Sequence, residues 1–117
     1  MDIEELQLLC TSLPHVTEDV KWGNDLCFCI GEKMFCVVGL NQSPTSASFK
    51  VTPEEFDELS AKQGFQPAPY VARYKWVFVE DINTLSAKEW QHYITQSYTL
   101  VKEKLPAKIR KQLETVS

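Results

Sequence analysis

Residues 24–40 read NDLCFCIGEKMFCVVGL, an apolar run, a Gly-Glu break and a second apolar run. Both runs are rich in aromatic, β-branched and small apolar residues, as strands are. Gly31 can adopt the positive φ of a tight turn, and Gly-X at the two central positions suits a type II′ hairpin. That turn pairs Ile30 with Lys33, Cys29 with Met34, Phe28 with Phe35 and Cys27 with Cys36. Strict alternation then gives two faces. Leu26, Phe28, Ile30, Phe35 and Val37 form the bulkier face, assigned to the core. Asp25, Cys27, Cys29, Met34, Cys36 and Val38 form a softer, partly covered face. A slip of one residue would exchange the two.

Outward from the hairpin, three helices announce themselves by their first turns. Asp2 with Glu5, Thr52 with Glu55 and Ser86 with Glu89 each form a capping box, in which both partners satisfy backbone donors. The first helix runs from about Ile3 to Leu13, buries Ile3, Leu6, Cys10 and Leu13 and stops at Pro14. The second carries Pro53 at its first position, turns Phe56 and Leu59 inward and has Gly64 as its stop. The third shows a long stripe of Trp90, Ile94, Ser97, Val101 and Leu105, flanked by Tyr93 and Tyr98. Pro106 breaks it, and Ile109, Leu113 and Val116 give a short fourth helix an apolar side.

Two further strands follow from alternation. Ala47–Thr52 sends Ala47, Phe49 and Val51 one way and Ser48, Lys50 and Thr52 the other, which puts Lys50 on the softer face. Within 70–80, YVARYKWVFVE, Tyr74, Trp76 and Phe78 share a face assigned to the core. Arg73, Lys75, Val77 and Val79 then fall beside Lys50. Residues 65–70, FQPAPY, hold two prolines and read as loop or sheet edge. HVTEDVKWG, residues 15–23, reads as a connection. Its Trp22 is either a lid over one end of the core or an exposed aromatic for stacking.

The chain of 117 residues, 44% apolar and 11% aromatic, is one domain over 1–117, long enough for a core and unlike a disordered segment. No apolar run approaches the roughly 20 residues of a membrane helix. The acidic start MDIEELQLLC is not a secretory signal, so a cytoplasmic protein without membrane contact is expected. In that setting the four cysteines are reduced packing residues. Cys-x-Cys followed by one cysteine lacks zinc spacing, and no metal is expected. Net charge is −4. Residues 1–60 set eleven Asp/Glu against three Lys, and residues 61–117 five Asp/Glu against nine Lys/Arg. The acidic total disfavours non-specific nucleic-acid binding, while the basic half leaves a nucleic-acid contact open. There is no phosphate loop, nucleophile elbow, HExxH or EF-hand, so neither a cofactor nor an enzymatic activity is indicated.

The segments DVKWGNDLCFCIGEKMFCVVGL, SFKVTPEEFDEL, PAPYVARYKWVFVED and SAKEWQHYITQSYTLVKEKLP, in this order, resemble the MmcQ/YjbR family over most of the chain. Lys50, Pro53, Tyr70, Arg73, Trp76, Trp90, Ser97 and Tyr98 fall at the family's recurring positions. The resemblance implies a small bacterial cytosolic protein of α/β (α+β) class with a CyaY-like fold, a twisted, mainly antiparallel sheet with helices packed on one face. It also implies a double-wing arrangement suggestive of DNA binding, and no catalytic residues. The expectation that follows is a binding module. Lys50, Arg73 and Lys75 would contact phosphate or another anion, Tyr70 or Trp22 would stack, and the basic end holding Lys102, Lys104, Lys108, Arg110 and Lys111 would assist. The alternative is a protein-interaction or regulatory domain without nucleic-acid affinity. Iron handling, by analogy with frataxins, would need the carboxylates of Asp2, Glu4 and Glu5.

Overall fold

The computed structural model describes residues 1–41 and 43–115. The three capping boxes form as the sequence requires. Asp2 starts α1 (Ile3–Thr11), Thr52 starts α2 (Pro53–Ser60) and Ser86 starts α3 (Ala87–Glu103). After Pro106 comes α4 (Ala107–Thr115), whose Ile109 and Leu113 pack against the core. Val116 lies outside the described residues. The helix before Gly64 ends four residues earlier than the glycine, at Ser60, so Gly64 (φ 89°) shapes the following turn rather than the cap.

Six strands form one sheet in the order β1-β2-β3-β4-β6-β5, every neighbouring pair antiparallel. They are β1 (Thr17–Lys21), β2 (Asp25–Ile30), β3 (Lys33–Gly39), β4 (Ala47–Lys50), β5 (Phe65–Pro67) and β6 (Trp76–Val79). The mixed α+β class with an antiparallel sheet is therefore as expected. One strand goes beyond the sequence expectation, and another falls on the sheet edge that the prolines of 65–70 allow. β1 occupies the segment taken for a connection, and its residues are too polar and exposed to announce a strand. β5 is the short proline-bearing edge.

The hairpin departs from strict alternation. Ile30 pairs with Lys33 and Cys29 with Met34, as expected, but Phe28 pairs with Cys36 and Cys27 with Val37. Phe35 is the extra residue of a β-bulge. The consequence is a change of parity. Phe35, Cys36 and Val38 all turn into the core, and Val37 turns out with Met34. The expected faces of Cys36, Val37 and Val38 are thus reversed, and Cys27 and Cys36 lie on opposite sides of the sheet. The turn also differs. Gly31 and Glu32 both have positive φ, 56° and 69°, the pattern of a type I′ turn. Gly31 has a second reason to be glycine, since a Cβ there would stand 2.7 Å from Leu105 Cδ1.

The β6 assignment is reversed as well. Phe49 pairs with Val77 and Ala47 with Val79, and these four form the core side of the two strands. Trp76 and Phe78 point to the other face. Both sides of β6 are apolar, so side-chain size could not decide which was covered. The strand starts only at Trp76. Residues 72–74 form a 3-10 turn and Lys75 is left-handed (φ 66°), so the alternation read through Arg73 and Lys75 does not exist.

The helices pack on the core face. Trp90 of α3 is fully buried, donates its indole N–H to the Ile82 carbonyl at 2.7 Å and meets the Phe49 ring edge-on at 5.4 Å. Tyr98 packs edge-on against Phe35 and donates to the Pro14 carbonyl at 2.8 Å, which ties α3 to the end of α1. Ser97, fully buried, does more. Its hydroxyl donates to the Phe35 carbonyl and accepts the Lys50 N–H at 3.0 Å. One side chain thus joins β3 to β4 just beyond their last ladder pair, Cys36 with Phe49, beside the bulged residue. Replacing Ser97 with alanine strands a buried C=O and a buried N–H, each costing about 1–3 kcal/mol. Ser97→Ala is expected to lose roughly 2–4 kcal/mol in denaturant unfolding, and a loss below about 0.5 kcal/mol would deny the bridge its role.

Candidate functional site

The helix-free face of the sheet carries a cavity of about 560 Å³. Its floor comes from the parity change in β3, which turns Met34 and Val37 outward together, with Ser48 of β4 beside them. One wall is the segment Ala68–Val71, where the chain leaves β5, and Trp76 stands at the start of β6. The opposite side is Trp22 in the β1–β2 turn, with Asp25 at the start of β2. The lining is overwhelmingly apolar, three of its residues are Trp or Tyr, and Asp25 is its one charged side chain.

Two rim aromatics are held at a cost. Trp22 is 70% exposed with φ 53°, and Tyr70 is 99% exposed with φ 69°. Bulky residues in the left-handed region are uncommon, and each costs of order 1 kcal/mol. Neither side chain recovers that by burial. Trp22 is thus no lid over the core but an open aromatic at the cavity mouth, and Tyr70 joins it there.

The basic residues are placed differently. Lys50 is 8% exposed and its ammonium donates to the Tyr74 carbonyl. Burial, and then the neighbouring Lys104 charge, lower its pKa from the ordinary lysine value. Arg73 is exposed, lies 4.7 Å from the Tyr74 ring centroid and donates to the Tyr74 hydroxyl at 2.7 Å. Lys75 sits over Phe56 of α2 at 4.9 Å. Lys50 and Arg73 both turn to Tyr74, at its carbonyl and at its ring and hydroxyl, Lys75 turns to Phe56, and none of the three lines the cavity. Of the five residues singled out from sequence, the structure brings together Trp22 and Tyr70. The sequence pattern had already put Asp25 and Met34 on the softer face, but Val37 and Trp76 were assigned to the core. Only the bulge and the true start of β6 reveal them.

Several other chemistry-bearing side chains have structural partners. Asp2 and Glu5 are engaged in the α1 capping box. Glu55 caps α2, where hydrogen bonds from Thr52, His92 and Gln96 outweigh burial and hold its carboxyl below the usual range. Among the described residues no three His, Cys, Asp or Glu side chains converge as metal ligands, and no helix is long and apolar enough to cross a membrane. All four cysteines are unpaired and buried. Burial, reinforced by Cys29, pushes the Cys27 thiol up to about 11. A hydrogen bond with Cys10, then burial, hold Cys36 well above the ordinary thiol value.

The α+β architecture recurs in solved structures. A Deinococcus radiodurans protein with a DUF419 domain superposes with a TM-score of 0.84 at 28% identity, over 96% of this chain and 87% of that one. A Pseudomonas syringae protein solved in a structural-genomics programme shares the fold, with a TM-score of 0.67 at 22% identity over 86% of this chain and 98% of the other. No protein of curated function matches. The YjbR family model matches residues 11–100, and the chain belongs to that family.

Two outcomes follow from this geometry. Tyr70→Gly removes a left-handed tyrosine that packs on nothing. It should leave stability unchanged or raise it by up to about 1 kcal/mol, because relief of φ strain is offset by added unfolded-state entropy; a clear loss in thermal unfolding would mean that Tyr70 supports the fold. Thiol titration at pH 7–8 should find all four cysteines slow in the native protein and fast in guanidinium, since the reactive species is the thiolate; a rapidly reacting native thiol would contradict the burial and the raised pKa of Cys27.

Proposed function

We propose that the chain is a non-catalytic binding module whose working site is the outer-face cavity, and that the group it takes in is flat and apolar. The observation that carries this reading is the pair of exposed aromatics, Trp22 and Tyr70, kept in left-handed backbone conformations at the mouth of an apolar cavity. Local strain of this kind is characteristic of ligand sites. The volume lies within the range of small-ligand pockets, which are mostly apolar with a few polar groups that fix orientation.

The neutral solvatochromic naphthalene probe prodan tests this reading. It is expected to bind saturably, with affinity reduced about tenfold or more by Trp22→Ala, an aromatic-anchor effect. Binding that does not saturate, or that is indifferent to Trp22 and Tyr70, would refute the site.

A DNA-binding role is a second reading, and one observation favours it. Arg73 and Tyr74 stack at the surface close in sequence to the exposed Tyr70, and cation-aromatic surfaces of this kind receive single-stranded bases. Lys50 has little to offer it, being buried and engaged with the Tyr74 carbonyl. Anisotropy with labelled single-stranded and duplex DNA across a salt series decides. Affinity that falls steeply with salt and is lost in an Arg73→Ala, Tyr70→Gly double variant supports nucleic-acid binding. No binding at low salt removes it and leaves a small-molecule or protein partner.

A further inference from the structure

Asp25 gives the cavity a chemical preference that its apolar walls do not. It is the one charged residue of the lining, and among the described residues the ion pairs within 4 Å do not include it. Lys21 lies directly across the β1–β2 pair, yet its ammonium neither approaches Asp25 to that distance nor enters the lining. Asp19, on the same side of β1 two residues from Lys21, adds a second carboxylate to this edge. The Cys27 thiol between them feels all three charges, Lys21 more strongly than either carboxylate. Around the cavity, Trp22, Tyr70 and Trp76 present three π systems, the side chains that attract cations best. Arg73 and Lys75, close in sequence to its far wall, and Lys50, two residues from Ser48 of the floor, direct their head groups to Tyr74, Phe56 and the Tyr74 carbonyl.

We propose that the cavity selects organic cations, namely an ammonium carried on an apolar or aromatic body. The cationic head is drawn to Asp25 and the aromatic walls. The body lies on the Met34–Val37 floor and displaces water from it. A neutral molecule of the same shape would gain the floor and lose the head. An anion of the same shape would meet the Asp25 carboxylate without a compensating cation in the lining. This inference rests on the cavity being the working site and adds the charge of its ligand.

Three probes of matched shape test it: 4-phenylbutylamine, 4-phenylbutanol and 4-phenylbutyrate, each titrated calorimetrically into the full chain at neutral pH and about 0.15 M salt, where surface attraction is screened. The amine should bind about tenfold tighter than the alcohol, from charge pairing with a cation–π contribution, and the butyrate should bind weakest. Asp25→Asn should bring the affinity of the amine down to that of the alcohol for the same variant. Asp25→Glu, which restores the charge, should keep the preference and so separates charge from folding. Trp22→Ala should weaken amine and alcohol alike. Equal binding of amine and alcohol, or a preference that survives Asp25→Asn, overturns cation selection while the cavity stands as a neutral site. Failure of all three probes, together with failure of prodan, overturns the cavity as well.

Discussion

The hydroxyl of Ser97 holds the molecule to its particular shape. It reaches from α3 to two strands at once, donating to Phe35 and accepting from Lys50 beyond the last pair of the β3–β4 ladder. The residue it holds on β3, Phe35, is the bulged one. With the extra residue, Met34 and Val37 face outward side by side, and Phe35, Cys36 and Val38 all fill the core. Without it, the strand would alternate regularly and Val37 would follow Phe35 inward. The cavity floor is thus a product of one irregular backbone position, held from α3 by a single hydroxyl.

What could be read from the chain, and what could not, divides along physical lines. Helix starts were legible because a capping box is local. Asp2, Thr52 and Ser86 each meet a partner three residues on, and no tertiary information is needed. The third helix was legible because Trp90, Ile94, Ser97 and Val101 repeat at helical spacing against polar neighbours. The sheet was legible as strands but not as faces. Parity in β3 depends on a bulge stabilised by a residue more than sixty positions away. β6 offers aromatic residues on one side and valines on the other, and size misled, since the valines are interior and Trp76 borders the cavity. β1, with TEDVK, has the composition of a surface loop and becomes a strand only because β2 offers an edge. For the site, Trp22 and Tyr70 stood out as aromatics in turn-like contexts. Arg73 and Lys75 came from alternation imposed on a segment that is in fact a turn, and with Lys50 they engage Tyr74 and Phe56 rather than the cavity.

The rim of the cavity sets stability against recognition. Exposed aromatics in left-handed backbone cost the fold stability, yet they frame the cavity mouth. In the proposed site, backbone already set in that conformation would lower the ordering cost of binding. In the proposed cation-selective site the carboxylate of Asp25 would act alongside them, since one charge in an apolar lining discriminates more strongly than many at an open surface.

The first strand has a bearing on how copies of the chain behave in concentrated solution. It lies at a sheet margin and is largely exposed along its length, so its outward backbone groups could template another strand. Two such strands meeting antiparallel about their centres would set Asp19 against Asp19. Like charges directly opposed destabilise a strand pair. Charge at this margin therefore acts as a guard against aggregation, and it permits the polar, uncapped edge of the sheet to remain open to solvent.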